Sequence, residues 1–276
     1  MGVLLMKVKK IVLYILLFIF AIMALLPLVW TVSTSLKTRY ATLKYPPEFL
    51  PDEVSFSNYK TIFEKYPFGR FLFNSLLVTL STVFLQVAVA AMAAYAFARF
   101  DFKYKELLFM FYIATLMFPF QVKAIPLYLM VRNLGWINTY QGLILPKVFS
   151  AFGVFLLRQS IRSTPRDYDE SAALDGANHI VIFLKIILPL NKGALATLSI
   201  FAFMDAWNDY LWPLIVTTTQ EMMTLPLGLA SLQGRWTTQW NLVSAGTIIS
   251  ILPMLVVFII AQKWFVKGIS VTGLKG

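Results

Sequence analysis

The sequence contains no cysteine and only one histidine, His179, among its 276 residues. It therefore has no disulfide to brace a secreted domain, and almost no material for a histidine-ligated metal site or a Ser-His-Asp triad. Charged residues make up 13% of the chain, against about 25% in soluble domains. No Gly-Lys dipeptide occurs, so there is no phosphate-binding P-loop. We expect this chain not to be an enzyme, and to bind no metal or cofactor itself.

Apolar residues are abundant instead: 59% of the chain is hydrophobic and the mean hydropathy is +0.72. A transmembrane helix needs about 20 mostly apolar residues. Six runs approach that length: Ile11–Trp30, Phe71–Phe97, Leu107–Val131, Gly142–Leu157, Gly193–Val216 and Leu242–Phe265. The first run is longer than the core of a signal peptide and no small-residue cleavage site follows it, so we expect it to be retained. We predict an all-α polytopic membrane protein with six transmembrane helices, forming a single domain over residues 1–276.

The net charge of +11 has a topological explanation. If both termini are cytoplasmic, 14 of the 24 basic residues flank the inner ends of the predicted spans and eight lie outside, mostly in one long loop. This is the bias that the positive-inside rule describes, so a nucleic-acid partner is not needed to explain the charge. We predict a membrane protein with cytoplasmic termini and a long extracellular loop at residues 38–70, with a short amphipathic helix near Ser57–Lys65.

The predicted cytoplasmic loop at residues 164–189 begins with a strong helix signal. Thr164 is a suitable N-cap, Pro165 occupies the favoured first helical position, and Asp167 can complete a capping box. Gly176 suits a left-handed helix terminator. The pattern predicts a rigid helix of about three turns; it is suited to act as a lever, although an ordinary interfacial helix would have the same pattern.

Polar residues at membrane depth are candidates for a translocation pathway, because they are costly there without a partner or a function. Asp205 and Asp209 are four residues apart in the fifth run, so a continuous helix would place them on one face, with Asn208 beside them. Trp207 adds an aromatic ring that can stack on a sugar, and Asn74 interrupts the second run. An interfacial girdle with helix-packing hydrogen bonds is an equally good interpretation of the fifth-run residues.

Two lysines interrupt the apolar runs. Lys123 lies in the third run and Lys147 in the fourth. Long basic side chains near helix ends can extend toward the interface, so both residues are either snorkelling lysines or part of a pathway.

The segment Glu170-Ser-Ala-Ala-Leu-Asp-Gly176, followed by Ile186-Ile-Leu-Pro189, resembles the Glu-Ala-Ala loop of ABC importer permeases. Ser171 stands where that family usually has alanine. Further segments are similar to the carbohydrate-importer branch, the maltose type: Pro67-Phe-Gly-Arg-Phe-Leu-Phe-Asn-Ser75, Leu134-Gly-Trp-Ile-Asn-Thr-Tyr140, Trp207-Asn-Asp-Tyr-Leu-Trp-Pro213 and Thr224-Leu-Pro-Leu-Gly-Leu229. The resemblance implies the type I ABC importer permease fold.

The resemblance also implies roles and partners. The 164–189 loop would hold the coupling helix, which docks on a cytoplasmic ATPase through Glu170, Ser171, Ala172, Asp175, Gly176, Leu188 and Pro189. The tail at residues 267–276 would contact the ATPases through Gly273, Lys275 and Gly276. ATP and Mg²⁺ would bind in two partner ATPase subunits, and a second, similar permease would complete a heterodimer. An extracellular solute-binding protein would deliver a sugar, which places the chain in a prokaryotic inner membrane.

Three alternatives remain at this point. The same machinery can carry another cargo, such as a polyamine or a phosphorylated polyol, because the coupling loop is shared across cargo classes. An ion-coupled secondary transporter would need ionisable residues near mid-membrane and broken helices. A membrane enzyme is the least favoured alternative, because the residues for its chemistry are scarce.

Overall fold

The structure, a computed structural model, describes residues 2–234 and 238–270. Within these ranges it is helical, with no named strand. The predicted tail contacts Gly273, Lys275 and Gly276 lie outside the described residues. The α-helices are α1 (Gly2–Ser35), α2 (Ser57–Lys65), α3 (Phe68–Arg99), α4 (Lys105–Ala114), α5 (Phe120–Asn133), α6 (Tyr140–Ile144), α7 (Ala151–Ser163), α8 (Asp167–Leu174), α9 (His179–Ile182), α10 (Leu188–Leu190), α11 (Lys192–Trp207), α12 (Leu211–Val216), α13 (Leu225–Ser231) and α14 (Trp240–Ser270).

Three segments of these helices are long and apolar enough to cross a membrane alone: Lys9–Ser35, Phe68–Arg99 and Trp240–Gln262. Three pairs of shorter helices meet at sharp bends, and counting each pair as one span gives six among the described residues. The predicted first, second and sixth runs therefore lie in continuous helices. The predicted amphipathic helix at Ser57–Lys65 is confirmed as α2.

The third predicted run is broken rather than continuous. The helical segments Lys105–Met117 and Phe120–Asn133 meet at 102°. Pro119 stands at the break, and Phe118 before it has an extended backbone with ψ of 114°. A proline disfavours helical geometry at the residue before it and has no N–H to continue the hydrogen-bond ladder, which accounts for the turn at this position.

The fifth predicted run also differs from expectation. The helix α11 ends at Trp207, and α12 begins at Leu211, so no helix continues from Gly193 to Val216. Asp209 explains part of the break, because its Oδ1 accepts a hydrogen bond from the Trp212 backbone N–H at 3.3 Å, at the start of α12. The segment His179–Leu190 precedes α11 at a bend of 79°.

The backbone forms two compact units. The first contains residues 2–68 and 229–252, apart from the three undescribed residues 235–237. Here Asn58 links three segments: its Nδ2 donates to the carbonyls of Ser35 and Lys37 at 2.7 and 2.8 Å, and its Oδ1 accepts from Asn241 Nδ2 at 2.6 Å. This buried amide fixes the loop after α1 against α2 and the start of α14.

The second unit contains residues 69–228 and the described residues from 253. Its core packs α7 and α11 against small side chains of α3, including Ala90 and Ala94. A Cβ added to Gly153 would lie 3.1 Å from both Ala90 Cβ and the Leu198 methyl groups, so the three helices approach closely at this level. The single permease domain predicted for residues 1–276 stays a prediction.

Candidate functional site

The predicted coupling helix is present as α8, but it begins later than the sequence suggested. It starts at Asp167 after an N-cap at Arg166 that makes no side-chain capping bond. The predicted N-cap at Thr164 is therefore wrong: Thr164 ends α7, and its Oγ1 accepts a hydrogen bond from Asn191 Nδ2 at 3.3 Å. The first turn contains Asp167, Asp169 and Glu170. Their negative charges interact favourably with the positive end of the helix dipole.

Gly176 ends α8 in the way the sequence predicts. Its φ is +83°, in the left-handed region, and its N–H donates to the Ala173 carbonyl at 3.0 Å. The Ala177 N–H then reaches the Ala172 carbonyl at 2.9 Å, which completes a Schellman-type end. Because the helix contains eight residues, it has about two turns rather than the predicted three.

The outer face of α8 is available to a partner. Glu170, Ser171 and Asp175 are exposed, and the Leu174 side chain is 90% exposed. Glu170 forms no ion pair within the part of the chain that the structure describes. The exposed Glu170 carboxylate and the exposed Leu174 side chain lie one turn apart on α8. A short helix with these two groups is suited to dock into a groove with basic and apolar walls.

The inner face of α8 is held by Arg99, at the end of α3. Arg99 Nε lies 2.5 Å from Asp169 Oδ2, and the two side chains are 7% and 17% exposed. The contact is electrostatic rather than a well-directed hydrogen bond, since Arg99 Nε has no acceptor in hydrogen-bonding geometry. Arg99 Nη2 also donates to the Thr164 carbonyl at 2.9 Å. The Arg99 guanidinium therefore holds both Thr164, at the start of the 164–189 loop, and the helix α8. The sequence does not predict this role for Arg99.

Asn191 fixes the other end of the loop that begins at Thr164, where α10 meets α11. Its buried amide accepts from Ser160 Oγ at 2.6 Å and donates to the Ile187 carbonyl at 2.8 Å. Of the predicted coupling residues in this part, Leu188 packs against the core and Pro189 is exposed, both within α10. Asn191 thus ties the returning helix to α7, and the sequence had no local signal for it.

A cavity of about 640 Å³ in the second unit brings together two of the predicted pathway residues. Asp205 and Asp209 both line it and both face Lys147, whose Nζ lies 3.6 Å from Asp205 Oδ2 and 2.7 Å from Asp209 Oδ2. A continuous helix was expected to align the two carboxylates. Since α11 ends between them, the shared lysine brings them together instead.

The rest of the cavity wall is aromatic and amide-bearing. The ammonium group of Lys123 adds a positive charge, and the other lining side chains that bear on ligand chemistry are Gln86, Gln121, Ser150, Phe118, Phe120, Phe149, Phe152 and Phe201. Aromatic faces can stack on the apolar faces of sugar rings, while amides and carboxylates can hydrogen-bond hydroxyl groups. The cavity is therefore chemically suited to a polyhydroxylated solute.

Three other predicted pathway residues do not line this cavity. Trp207 is buried and stacks on Phe203, with ring centroids 5.6 Å apart. Asn208 is exposed, and its Nδ2 donates to the Met204 carbonyl at 2.8 Å. Asn74 is fully buried, and its side chain hydrogen-bonds to the loop after α12.

Asn74 holds a loop segment centred on Glu221. Its Nδ2 donates to the carbonyls of Glu221 and Met223 at 2.7 and 2.9 Å, and its Oδ1 accepts from Tyr140 Oη at 2.7 Å. The pKa of the Glu221 carboxyl is held below its usual value. The largest cause is a hydrogen bond from the Glu221 backbone N–H, followed by one from the Thr219 hydroxyl and by the nearby charge of Arg70. This loop is therefore well ordered by polar contacts.

Comparison with known proteins decides the family. Residues 86–271 match the model of the binding-protein-dependent transport system inner membrane component family. The chain belongs to this family. A permease of this family is a membrane transport component, which agrees with the resemblance drawn from the coupling-loop motif.

Relatives that align over about three quarters or more of this permease support the assignment. It is 36% identical over 227 residues to the arabinooligosaccharides transport system permease protein AraQ of Bacillus subtilis, covering 82% of this chain and 81% of that protein. It is 33% identical to the sulfoquinovosyl glycerol transport system permease protein SmoH of Agrobacterium fabrum, covering 91% and 89%. It is 37% identical to the sn-glycerol-3-phosphate transport system permease protein UgpE of Yersinia enterocolitica, covering 74% and 73%.

Solved structures confirm the predicted fold. The permease superposes on a chain of a bacterial ABC transporter that imports the acidic polysaccharide alginate, with a TM-score of 0.86, 26% identity and coverage of 94% and 97%. A chain of the alginate transporter in complex with its pentasaccharide-bound periplasmic protein gives a TM-score of 0.66 at 16% identity, with coverage of 92% and 94%, and shows the fold alone. The ABC importer permease fold predicted from the motif is correct.

Proposed function

We propose that this chain is the permease subunit of an ATP-driven importer for a sugar or oligosaccharide, working by alternating access with a second, similar permease. The exposed, Gly176-terminated helix α8, within a chain of the binding-protein-dependent permease family, carries the proposal. The names of two relatives, which transport arabinooligosaccharides and sulfoquinovosyl glycerol, support a carbohydrate cargo.

ATP hydrolysis is assigned to two separate cytoplasmic subunits that bind ATP and Mg²⁺, since this sequence has no P-loop of its own. The helix α8 docks on one of them. Glu170 pairs with a basic residue in the docking groove, and the small, exposed Ser171 allows close approach. Ala172, also predicted for this face, packs instead against the core of the second unit. The left-handed turn at Gly176 then directs the chain back toward Leu188 and Pro189. The undescribed tail residues Gly273, Lys275 and Gly276 are proposed as a second contact with the ATPases.

Transport requires that ATP binding favour one of two arrangements of the permease pair. Closure of the two ATPases moves α8, and the contacts of Arg99 and Asn191 transmit that movement to α3, α7 and α11 as a rigid displacement. We propose that the chain is a multi-pass protein of a prokaryotic inner membrane, with both termini in the cytoplasm. An extracellular solute-binding protein docks on the outer loops, which include residues 38–70.

The cavity containing Lys147, Asp205 and Asp209 is proposed as this subunit's part of the translocation pathway. Trp207, Asn74 and Asn208, the other predicted pathway residues, do not line this cavity, and Asn208 marks the end of α11. A phosphorylated polyol is the second candidate cargo, because the chain is 37% identical to a glycerol-3-phosphate permease and Lys123 offers a positive charge on the cavity wall.

The proposal is tested by uptake in proteoliposomes that contain the permease pair, the two ATPases and the solute-binding protein. With ATP inside, we expect accumulation of labelled oligosaccharide, and Glu170→Lys should abolish it while assembly persists. Asp101→Lys, the same charge change at an exposed carboxylate in the loop between α3 and α4, is the control and should transport normally. Normal transport by Glu170→Lys would refute the coupling role, and uptake of glycerol 3-phosphate alone would select the second cargo.

A further inference from the structure

A second cavity, of about 450 Å³, lies in the unit formed by residues 2–68 and 229–252. The end of α1, the loop after α1 and the first turns of α14 enclose it. Its wall combines two tryptophans with hydroxyl and charged side chains: Trp30, Thr31, Thr34, Lys37, Thr42, Glu48, Trp240, Ser244 and Thr247. The proposed transport function gives none of these side chains a role in coupling or in the translocation pathway, although Thr42 and Glu48 lie in the 38–70 loop.

The ammonium group of Lys37 is the most unusual feature of this wall. The residue is 3% exposed, and no carboxylate of the described residues forms an ion pair with it. Its Nζ donates to the Glu48 backbone carbonyl and lies 4.8 Å from the centre of the Trp30 ring. An ammonium carries three donors, so two remain without an acceptor among the described residues. Burial of a charge without a counter-charge is strongly unfavourable, which indicates that an anionic group completes the site.

Two further polar atoms in the same wall lack partners. Thr34 Oγ1 and Glu48 Oε2 are both buried and form no hydrogen bond, although native proteins seldom leave such atoms unsatisfied. The other carboxylate oxygen of Glu48 is taken by Lys44. The site therefore needs a negative group beside Lys37 and a hydrogen-bond donor beside Glu48. A simple anion would meet only the first need.

The position of the cavity along α1 indicates where its ligand comes from. The apolar span Lys9–Ser35 ends two residues before Lys37, which follows the end of α1 directly, so Lys37 lies at the level of lipid headgroups. Trp30 and Trp240 are 37% and 52% exposed, as expected for an interfacial belt. Exposed apolar residues such as Leu25 and Val29 precede Trp30 on α1 and offer a surface for acyl chains.

We propose that this cavity binds the headgroup of a phospholipid that carries both a phosphate and a primary amine, as phosphatidylethanolamine does. The phosphate oxygens accept hydrogen bonds from Lys37 and from the Thr34 hydroxyl, and the amine donates to Glu48 Oε2. The acyl chains lie along α1. The lipid thereby fixes the loop after α1 at the membrane surface, a role independent of the transported solute.

Phosphatidylcholine is the matched control ligand, because it has the same phosphate but a quaternary ammonium without an N–H. The full chain, purified in detergent, is equilibrated with equal amounts of the two lipids and examined by native mass spectrometry. We expect about tenfold stronger retention of phosphatidylethanolamine, the factor associated with one lost hydrogen bond to a charged group. Equal retention of the two lipids would overturn the proposal.

Substitutions in the cavity wall test which side chain makes each proposed contact with the lipid headgroup. Lys37→Gln should remove the retention of both lipids, and Glu48→Gln should remove only the preference between them. Thr34→Val, which keeps the shape of the side chain, should weaken binding without a change in preference. Lys60→Gln, at an exposed lysine on α2, should bind as the unsubstituted chain does. A Lys37→Gln chain that folds, as judged by its thermal melting, and still retains phosphatidylethanolamine would contradict the assignment.

Soluble competitors separate a lipid from a free phosphate. Inorganic phosphate and glycerophosphoethanolamine are each added at millimolar concentration before lipid release is measured. We expect inorganic phosphate to leave the lipid bound and glycerophosphoethanolamine to displace it only weakly, because neither has acyl chains. Complete displacement by inorganic phosphate would show that the site binds a free anion and would overturn the lipid assignment. Since no sugar, ATP or partner is present, the result does not depend on the proposed transport function.

Discussion

Arg99 Nε lies 2.5 Å from Asp169 Oδ2, and this contact joins the end of a long membrane helix to the exposed helix α8. The same guanidinium donates to the Thr164 carbonyl at the start of the loop. A lever transmits movement only if it is stiff at its attachment, and a nearly buried ion pair resists displacement more than an exposed one. Under the proposed docking of α8 on an ATPase, Arg99 would act as a positioning residue for coupling, without touching the ATPase itself.

The first prediction concerns this attachment. We expect Arg99→Gln to lower ATP-driven uptake at least about tenfold, because it leaves the Asp169 carboxylate partly buried without its counter-charge. The stability loss should stay below the roughly 3–5 kcal/mol found for fully buried pairs. ATPase activity of the assembled complex should persist while its stimulation by the solute-binding protein is lost. The measurement is uptake and ATPase rate in the same proteoliposomes.

A charge-swapped pair is the control for this prediction. Arg99→Asp combined with Asp169→Arg keeps the two charges but exchanges their positions. It should recover part of the uptake that either single change removes. If the double variant is no better than the single variants, and Arg99→Gln retains stimulated ATPase activity, the contact has no positioning role.

The second prediction concerns the end of α8. A Cβ at Gly176 would meet no atom within 4 Å, so only its backbone angle, φ of +83°, resists substitution. A non-glycine residue in this region is disfavoured by about 1–2 kcal/mol, and asparagine is penalised less than other residues. We therefore expect Gly176→Ala to reduce uptake and Gly176→Asn to reduce it less.

Gly193 offers a matched control for Gly176. It also has open space around its Cα, but it lies within α11 at an ordinary helical angle. Gly193→Ala should leave uptake unchanged and raise thermal stability slightly, since alanine favours a helix over glycine. Equal uptake by Gly176→Ala, Gly176→Asn and Gly193→Ala would show that the turn angle is unimportant for coupling.

The third prediction concerns the charge cluster in the larger cavity. Lys147 is 15% exposed and faces two carboxylates, whereas Asp205 is 77% exposed and Asp209 is 15% exposed. Lys147→Met leaves Asp209 enclosed without a counter-charge, so we expect a larger loss of uptake and stability than for Asp205→Asn. Thermal melting and initial uptake rates separate the two effects.

A double-variant comparison tests whether the cluster acts as a unit. Adding Asp209→Asn to Lys147→Met removes the unpaired charge and should restore stability. If uptake is restored as well, Lys147 and Asp209 have a packing role; if stability returns without uptake, the cluster takes part in solute passage. Identical melting temperatures for Lys147→Met and the unsubstituted chain would contradict the ion-pair argument.

Local patterns predicted what local physics controls. Gly176 was identified because few other residues adopt its backbone angle, and α2 because its apolar spacing and boundaries are contained within nine residues. Thr164 was assigned wrongly, because its side chain and carbonyl are engaged by Asn191 and Arg99, which are distant in sequence. No window around Thr164 contains that information.

The pathway residues show the same limit. The i, i+4 spacing of Asp205 and Asp209 suggests one helical face, but α11 ends at Trp207. Asp209 lies beyond that end and accepts a hydrogen bond from the Trp212 backbone N–H at the start of α12. The sequence shows Lys147 as an isolated charge in an apolar run, but it does not show that Asp205 and Asp209 are its ion-pair partners. Pairings across 58 and 62 residues are set by how the helices pack, which hydrophobic periodicity alone does not specify.

The fourth prediction is a pH dependence at the loop held by Asn74. The pKa of the Glu221 carboxyl is lowered from 4.5 by hydrogen bonds from its own backbone N–H and from Thr219, with a smaller contribution from Arg70. A lowered pKa in the folded state means that ionised Glu221 stabilises the loop above pH 4.5, and that this stabilisation is lost as pH falls through the lower folded value. Glu221→Gln keeps an acceptor but not the charge. It should therefore lower the protection of the loop amides at pH 7, as measured by hydrogen exchange with mass spectrometry.

The difference between the two chains should shrink as the pH is lowered below 4.5, because the unsubstituted Glu221 becomes neutral there as well. Exchange at Met222 and Met223 is the most direct readout, because their backbone N–H groups donate to the carbonyls of Thr219 and Gln220 in the loop that carries Glu221. Asp101→Asn is a useful comparison: its pKa is also lowered, first by the hydrogen bond from Lys105, but it lies in the loop between α3 and α4. That variant should change exchange near Lys105 and leave the Glu221 loop unaffected. A pH-independent difference at Met222 would mean that the charge of Glu221 does not stabilise this loop.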